Sequence, residues 1–407
     1  MLARDGGTRV RVTPFPGGGP ELTAEDAEAV AAVVRSGQLG RHGGRQVLGL
    51  ESAFAGLLGV PPRSVIASTS GTAAVHLAIA ALDPEPGDEI IVPPISDFGT
   101  VIPVLVQNAV PVFADVRPDS WCLDPEDVAR RISERTRAIV AVHLFGQPCD
   151  LDALRALAAA RGLALIEDCA QAPLAQWRDR PVGTWGDFGC FSLQQSKHIT
   201  AGEGGLTVAA DPAQAERARL FADKGWPREG EARTHLFLGL NYRMTELQGA
   251  VAAAQLPRLA GIVRRRQALA ARLDAALAGA PGVSVHRLPA GARSAYWLYH
   301  FNVDLPGGAS AFAAAVRAEG VPLASGYVPP LYLVPALRER RTYGASGFPF
   351  DSPYARPQPP YAPGLCPVAE SMGGRLCYLG LHQGWSDQEV TDVAAAVQKV
   401  AAAFAAR

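Results

Sequence analysis

Ala138-Ile139-Val140-Ala141-Val142 and Leu163-Ala164-Leu165-Ile166, joined through a helical stretch from Asp152 to Arg161, decide the fold of this chain. Both runs are apolar at every position rather than at alternate ones. A strand of that kind is covered on both faces, and strands of that kind separated by helices belong to a mainly parallel sheet. The pattern repeats outward. Ser64-Val65-Ile66-Ala67 leads into a helix over Thr72 to Leu82, and Glu89-Ile90-Ile91-Val92 reads as a strand. Thr100 to Gln107 reads as a helix, and Val110-Pro111-Val112-Phe113-Ala114 and Leu206-Thr207-Val208-Ala209-Ala210 as further buried strands. The expected class is α/β, a mainly parallel central sheet flanked by helices, in which ligands bind beyond the carboxyl ends of the strands.

Beyond this region the period changes. Leu247 to about Leu277 predicts one long helix, with few breakers until Pro281-Gly282. His300-Phe301-Asn302-Val303 and Gly320-Val321-Pro322-Leu323 then alternate with helical stretches, as in a small α+β domain. Residues 338–366, rich in Pro, Tyr, Gly and Ser, read as an irregular loop, and a last helix starts near Asp387. The expected division is an N-terminal segment plus large α/β domain over residues 1–255, and a small C-terminal α+β domain over 256–407.

At 407 residues the chain exceeds the length at which a single core keeps growing. Hydrophobic residues make up 48% and charged residues 19%, which supplies a large core and excludes global disorder. A formal net charge of −1 speaks against nucleic acid or an anionic membrane as the main partner. No charge-free apolar run reaches the roughly 18 residues a membrane span needs. Met1-Leu2-Ala3-Arg4 opens no signal-peptide core. Cys122, Cys149, Cys169, Cys190, Cys366 and Cys377 form no C-x-x-C pair and suggest no zinc site, so no metal is expected. A cytoplasmic protein with reduced thiols is the expectation.

Only three lysines occur: Lys197, Lys224 and Lys399. Lys197 lies in Phe191-Ser192-Leu193-Gln194-Gln195-Ser196-Lys197-His198-Ile199-Thr200-Ala201-Gly202-Glu203-Gly204-Gly205, a glycine-rich turn between two apolar strands. An amine held there and partly desolvated becomes a nucleophile toward a carbonyl, a role arginine cannot take. Ser70-Gly71-Thr72 joins a strand to a helix, and a helix N-terminus with small hydroxyl residues cradles phosphate. Asp168 closes the strand after Ile166, where a carboxylate can hold a proton on the nitrogen of a bound pyridinium. Ser192 precedes the lysine by five residues and can reach the same phosphate. Singly, these are also a solvated loop lysine, an ordinary N-cap and a turn-capping carboxylate. Together they are what pyridoxal 5'-phosphate requires of a protein.

With those residues in view the chain resembles the DegT/DnrJ/EryC1/StrS family of sugar and cyclitol aminotransferases, within fold type I of the pyridoxal-phosphate enzymes. The likeness runs from about residue 20 to the C-terminus. It is carried by Ser36-Gly37-Gln38-Leu39, Ser70-Gly71-Thr72-Ala73-Ala74, Gly87-Asp88-Glu89-Ile90-Ile91-Val92-Pro93 and His143-Leu144-Phe145-Gly146-Gln147-Pro148-Cys149-Asp150. It continues through Glu167-Asp168-Cys169-Ala170-Gln171-Ala172, the Lys197 segment and Asn241-Tyr242-Arg243-Met244-Thr245-Glu246. The resemblance implies that Lys197 is the Schiff-base lysine and proton shuttle. It implies that Asp168 pairs with the ring nitrogen and Gln171 with the ring hydroxyl. Ser70, Gly71, Thr72, Ala73 and Ser192 would hold the phosphate, joined by Asn241 from the other subunit of a homodimer with shared active sites. Where the family stacks an aromatic on the ring, this chain has Asp97, and Phe98 is the expected replacement. His198, Tyr242 and Arg243 are the expected substrate contacts.

The implied reaction moves an amino group from glutamate or glutamine, through pyridoxamine 5'-phosphate, to a keto-sugar nucleotide or keto-cyclitol. Antibiotic or other natural-product biosynthesis is the setting the resemblance implies. Two alternatives stand beside it. One is a deoxysugar dehydratase, whose relatives can carry histidine where this chain has Lys197. The other is a non-catalytic regulator, for which the chain offers neither a basic stripe nor a helix-turn-helix extension.

Overall fold

Seven strands build the central sheet: β1 (Val65–Ser68), β2 (Glu89–Val92), β3 (Val110–Phe113), β4 (Thr136–Val142), β5 (Ala164–Asp168), β6 (Phe188–Ser192) and β7 (Gly205–Ala209). The computed structural model describes residues 1–228 and 234–406. Strand order across the sheet is β1-β7-β6-β5-β4-β2-β3, and the pairings are parallel except those of β7 with β1 and β6. The helix Leu151–Arg161 joins β4 to β5, which pair with Val140 opposite Ile166 and Val142 opposite Asp168. Local chemistry sets both ends of that helix. Asp150 Oδ1 accepts the Ala153 N–H at 3.1 Å, and Gly162, at φ +64°, supplies the left-handed residue that ends it.

Prolines account for several differences from the sequence reading. The helix expected over Thr100 to Gln107 is a turn at Phe98–Thr100 followed by the short helix Ile102–Val106. Starting at Ile102 places Pro103 in the first turn, where its missing N–H does no harm. The long helix expected from Leu247 is two, Glu246–Gln255 and Leu259–Leu277, separated by a turn at Leu256–Arg258. Pro257 cannot donate inside a helix and its ring clashes with the preceding turn. Gly320 to Leu323 is not a strand, since Pro322 cannot pair, and the edge strand is Ala324–Ser325.

The second sheet holds Val283–Val285, Leu298–Val303, Leu376–Gly380 and Ala324–Ser325 in that order, all antiparallel. Buried apolar residues fall into two clusters. The helix Leu259–Leu277 gives Leu259, Ile262 and Val263 to the larger and Leu269, Leu273 and Leu277 to the smaller. Part of the C-terminal half, from Leu331 to Met372, packs with the larger cluster and brings its side chains against the central sheet. Among the described residues no helix is long and apolar enough to cross a membrane.

Candidate active site

A cavity of about 340 Å³ lies at the carboxyl ends of β5 and β6, against the first turn of the helix Gly71–Leu82. Alternation along β5 decides which carboxylate reaches it, because adjacent strand residues point to opposite faces. Glu167 turns inward. Its Oε1 accepts the N–H groups of Trp185 (2.7 Å) and Gly186 (2.8 Å), and its Oε2 accepts that of Gly183 (2.7 Å). His143 Nδ1 accepts the Cys149 N–H at 3.0 Å, so the ring proton sits on Nε2, which donates to Glu167 Oε2 at 3.1 Å. Asp168 instead lines the cavity. Its Oδ2 accepts the Thr100 hydroxyl at 2.8 Å and its Oδ1 the Ala170 N–H at 3.1 Å. Burial raises its pKa above the ordinary carboxylate value, and these two donors and the Lys197 charge oppose that rise.

Lys197 sits on the connection between β6 and β7. That connection is fastened to itself and to a helix. Leu193 N–H donates to Gly204 O and Ala201 N–H to Leu193 O, each at 2.8 Å. The Gln255 amide grips Thr200 from both sides, Oε1 accepting its N–H at 3.1 Å and Nε2 donating to its carbonyl at 2.7 Å. Burial lowers the Lys197 pKa, against the raising effect of Asp168 and Asp97. Its Nζ stands 4.3 Å from the centre of the Trp297 ring, whose Nε1 donates to Ser196 O at 2.8 Å.

The third part is the cradle. Ser70 caps the helix, its Oγ accepting the Ala73 N–H at 3.0 Å, and Gly71 and Thr72, whose first-turn N–H groups have no acceptor within the helix, line the cavity. Gly71 is required by space: a Cβ there would lie 2.8 Å from Ser192 Cβ and 2.9 Å from its Oγ. This close approach brings the Thr72 and Ser192 hydroxyls to one wall. Gln171 has a fixed amide, with Oε1 accepting Phe145 N–H at 2.6 Å and Nε2 donating to Tyr327 OH at 3.2 Å. Hydroxyls and amides at one end, a desolvated amine and a buried carboxylate fit the phosphate, carbonyl and ring nitrogen of pyridoxal phosphate.

Of the residues singled out in the sequence, Ser70, Gly71, Thr72, Asp168, Gln171, Ser192 and Lys197 line this one cavity. The others lie elsewhere in the chain. Ala73 is buried with its N–H bonded to Ser70. Phe98 packs against the larger core while Asp97 lines the cavity, so an aromatic stack from Phe98 is not what this chain's cavity wall presents. His198 is buried, and its Nε2 lies 2.9 Å from Ala295 O. Burial holds its pKa well below the usual histidine value, so it is a neutral strut for the lysine loop. Tyr242 OH lies 3.0 Å from His76 Nδ1, and Arg243 pairs with Asp223. Asn241 is exposed, its backbone bridged to Asp223. Asp97, named in the sequence as standing at the family's aromatic position, lines the cavity, and so do Thr100, Glu203, Trp297 and Tyr327, which were not singled out there. Thr100 was within reach, since it ends the loop after a strand of the sheet. Trp297 and Tyr327 arrive from the second half of the chain and carry no local signal.

Residues 20–398 match the DegT/DnrJ/EryC1/StrS aminotransferase family. The chain is 37% identical over 365 residues to the L-glutamine:2-deoxy-scyllo-inosose aminotransferase of Streptomyces kanamyceticus, covering 84% of this chain and 85% of that protein. It is 35% identical over 285 residues to the GDP-perosamine synthase of Vibrio cholerae, covering 70% and 76%. Matches to three other curated relatives span 61%, 66% and 66% of those proteins. Among solved structures, the aminotransferase TlmJ from Streptoalloteichus hindustanus superposes with a TM-score of 0.82 at 32% identity, over 97% of this chain and 100% of that one.

Proposed function

The chain belongs to the DegT/DnrJ/EryC1/StrS aminotransferase family, and from that premise we propose that it is a pyridoxal-phosphate-dependent aminotransferase acting on a keto-cyclitol. The amino donor is L-glutamine or L-glutamate, and the product is an aminocyclitol of the kind used in antibiotic biosynthesis. The observation that carries the reading is the convergence of Lys197, Asp168 and the Gly71-Thr72-Ser192 cradle on one cavity. When bound, the cofactor supplies an electron sink for the substrate carbon that loses its proton. Thr72, Ser192 and the first-turn amides would hold its phosphate, Asp168 its ring nitrogen and Gln171 its ring hydroxyl. Lys197, whose amine gives up its proton more easily because it is buried, would take the proton from the substrate carbon and later return it. Trp297 and Tyr327 wall the space left for the acceptor.

The likeness to a GDP-perosamine synthase supports a keto-sugar nucleotide as the second reading of the acceptor. Retention of Lys197 weighs against a dehydratase. A homodimer with shared sites is part of the proposal, because Asn241 lies outside this chain's own cavity. A cytoplasmic location is proposed with it.

Protein incubated with the cofactor should acquire a visible band that borohydride fixes covalently on Lys197, mapped by peptide mass. L-Glutamine should bleach that band, and amination of 2-deoxy-scyllo-inosose should exceed that of a keto-sugar nucleotide. No bleaching with any amino acid would sink the aminotransferase reading. Mixing inactive Lys197→Ala and Asn241→Ala chains should restore roughly a quarter of wild-type activity if sites are shared between two-fold-related subunits. No restoration would refute the sharing.

A further inference from the structure

Asp168 can serve a ring nitrogen only as a carboxylate, yet its burial favours the protonated acid. Several ionisable groups face it, and Asp97 and Tyr327 on the cavity wall and the buried thiols of Cys169 and Cys190 bring it no positive charge. Glu167 is its neighbour on β5 and adds negative charge. His143 stands behind it at the end of β4, but its Nδ1 accepts the Cys149 N–H and its Nε2 is turned to Glu167, so neither ring nitrogen bonds Asp168. Lys197 faces it across the cavity, and that amine is the one committed to a carbonyl once the cofactor is seated. What then remains to stabilise the negative charge is a set of neutral donors.

The strongest of these comes from the loop after β2. Thr100 and Ser96 are both 2% exposed. Thr100 Oγ1 donates to Asp168 Oδ2 at 2.8 Å, and Ser96 Oγ lies 2.7 Å from Thr100 Oγ1. A threonine hydroxyl has a single proton. With that proton given to Asp168, Ser96 must be the donor to Thr100. The two O–H groups therefore donate in series toward the carboxylate, and each strengthens the next. The loop is fastened at both ends. Leu331 N–H donates to Pro94 O at 2.7 Å, and Asp97 Oδ1 accepts the Gly99 N–H at 2.8 Å. A Cβ on Gly99 would lie 2.4 Å from Thr72 Oγ1, so glycine is what lets the turn reach Asp168 while lying against the phosphate cradle.

We propose that Thr100, backed by Ser96, is a positioning residue that keeps Asp168 a carboxylate aimed into the cavity for the cofactor's ring nitrogen. The inference rests on the pyridoxal-phosphate reading above. It assigns a role to two buried hydroxyls in series behind Asp168, of which Thr100 also borders the cavity.

The test is cofactor binding by the cofactor-free protein, measured by fluorescence quenching across a pH series. Thr100→Val keeps the shape and removes the hydroxyl. It should weaken pyridoxal-phosphate binding about tenfold at neutral pH, equivalent to 1.4 kcal/mol. It should also move the acid limb of the binding curve to higher pH, because Asp168 protonates more easily. Thr100→Ser should restore both. Ser96→Ala should shift the limb in the same direction by less, and it serves as the deciding variant if Thr100→Val does not fold. An unmoved acid limb in the folded variants overturns the proposal, as does a loss of affinity equal at every pH, which would mark simple packing damage. Wild-type protein that takes up no cofactor overturns the cofactor reading and this inference with it. Wild-type binding with Thr100→Val indistinguishable from it overturns this inference alone.

Discussion

Glu167→Gln changes one atom at the back of the site, and its consequence follows from counting donors. The carboxylate accepts four hydrogen bonds: Trp185 and Gly186 N–H on Oε1, Gly183 N–H and His143 Nε2–H on Oε2. All four partners are donors, and none can reverse. His143 cannot, because its Nδ1 is the acceptor for Cys149 N–H. A glutamine in the same space can keep its oxygen toward Trp185 and Gly186, but its NH₂ then meets Gly183 N–H and His143 Nε2–H. Flipping the amide merely exchanges which pair is opposed. Two buried donors lose their acceptor, and each stranded donor costs about 1–3 kcal/mol. The expected destabilisation is therefore about 4 kcal/mol, a large part of the stability of an ordinary domain.

Equilibrium urea unfolding followed by far-UV circular dichroism reads this directly as a fall in midpoint. The loop from Gly183 to Gly186 is tied to β5 only one residue from Asp168, so cofactor affinity should fall as well. A variant within about 1 kcal/mol of wild type would refute the reasoning, since one stranded donor already costs that much. It would mean that water or a ring flip of His143 satisfies the site.

Three further outcomes are expected. Gly99→Ala places a Cβ 2.4 Å from Thr72 Oγ1, so cofactor affinity should drop about tenfold or more while circular dichroism stays unchanged. Lys197→Met should stabilise the cofactor-free protein at neutral pH, because burial depresses the folded amine below its unfolded value. The burial penalty on the charged amine is fully present at low pH, shrinks as pH rises through the depressed value and vanishes near the ordinary lysine value of about 10.4. Urea midpoints of the two proteins should therefore converge as pH is raised, and a constant gap would contradict the linkage. Trp297→Ala removes an indole face 4.3 Å from Nζ, a contact of about 0.5–2 kcal/mol for an ammonium. Lys197 should then acylate faster in the cofactor-free protein, followed by mass spectrometry of its peptide.

The strands of the central sheet were legible because their apolar runs are continuous, and β2 is observed over the same four residues that the sequence marks out, whereas Gly320 to Leu323 failed at Pro322. The helices were legible where caps are local, as at Asp150 and Gly162, and misjudged where a single proline divides a periodic stretch, as at Pro257. Lys197 and Asp168 could be picked out because few residue types can do their chemistry. Reading outward from them to their chain neighbours was less productive, for a geometric reason. On a strand or in a tight turn, consecutive side chains leave in different directions. Asp168 enters the cavity while Glu167 goes behind it, Lys197 enters while His198 is buried against Ala295, and Asp97 enters while Phe98 joins the core. The groups that do complete the site are distant in sequence. Thr100 meets Asp168 across 68 positions, and Tyr327 meets Gln171 across 156. The parallel sheet brings Thr100 to Asp168, since it gathers the carboxyl ends of non-neighbouring strands at one edge, whereas Tyr327 comes from the chain just after the edge strand of the second sheet. A sequence motif therefore names the atoms that react, whereas the charge those atoms carry is set by residues that only the topology can supply.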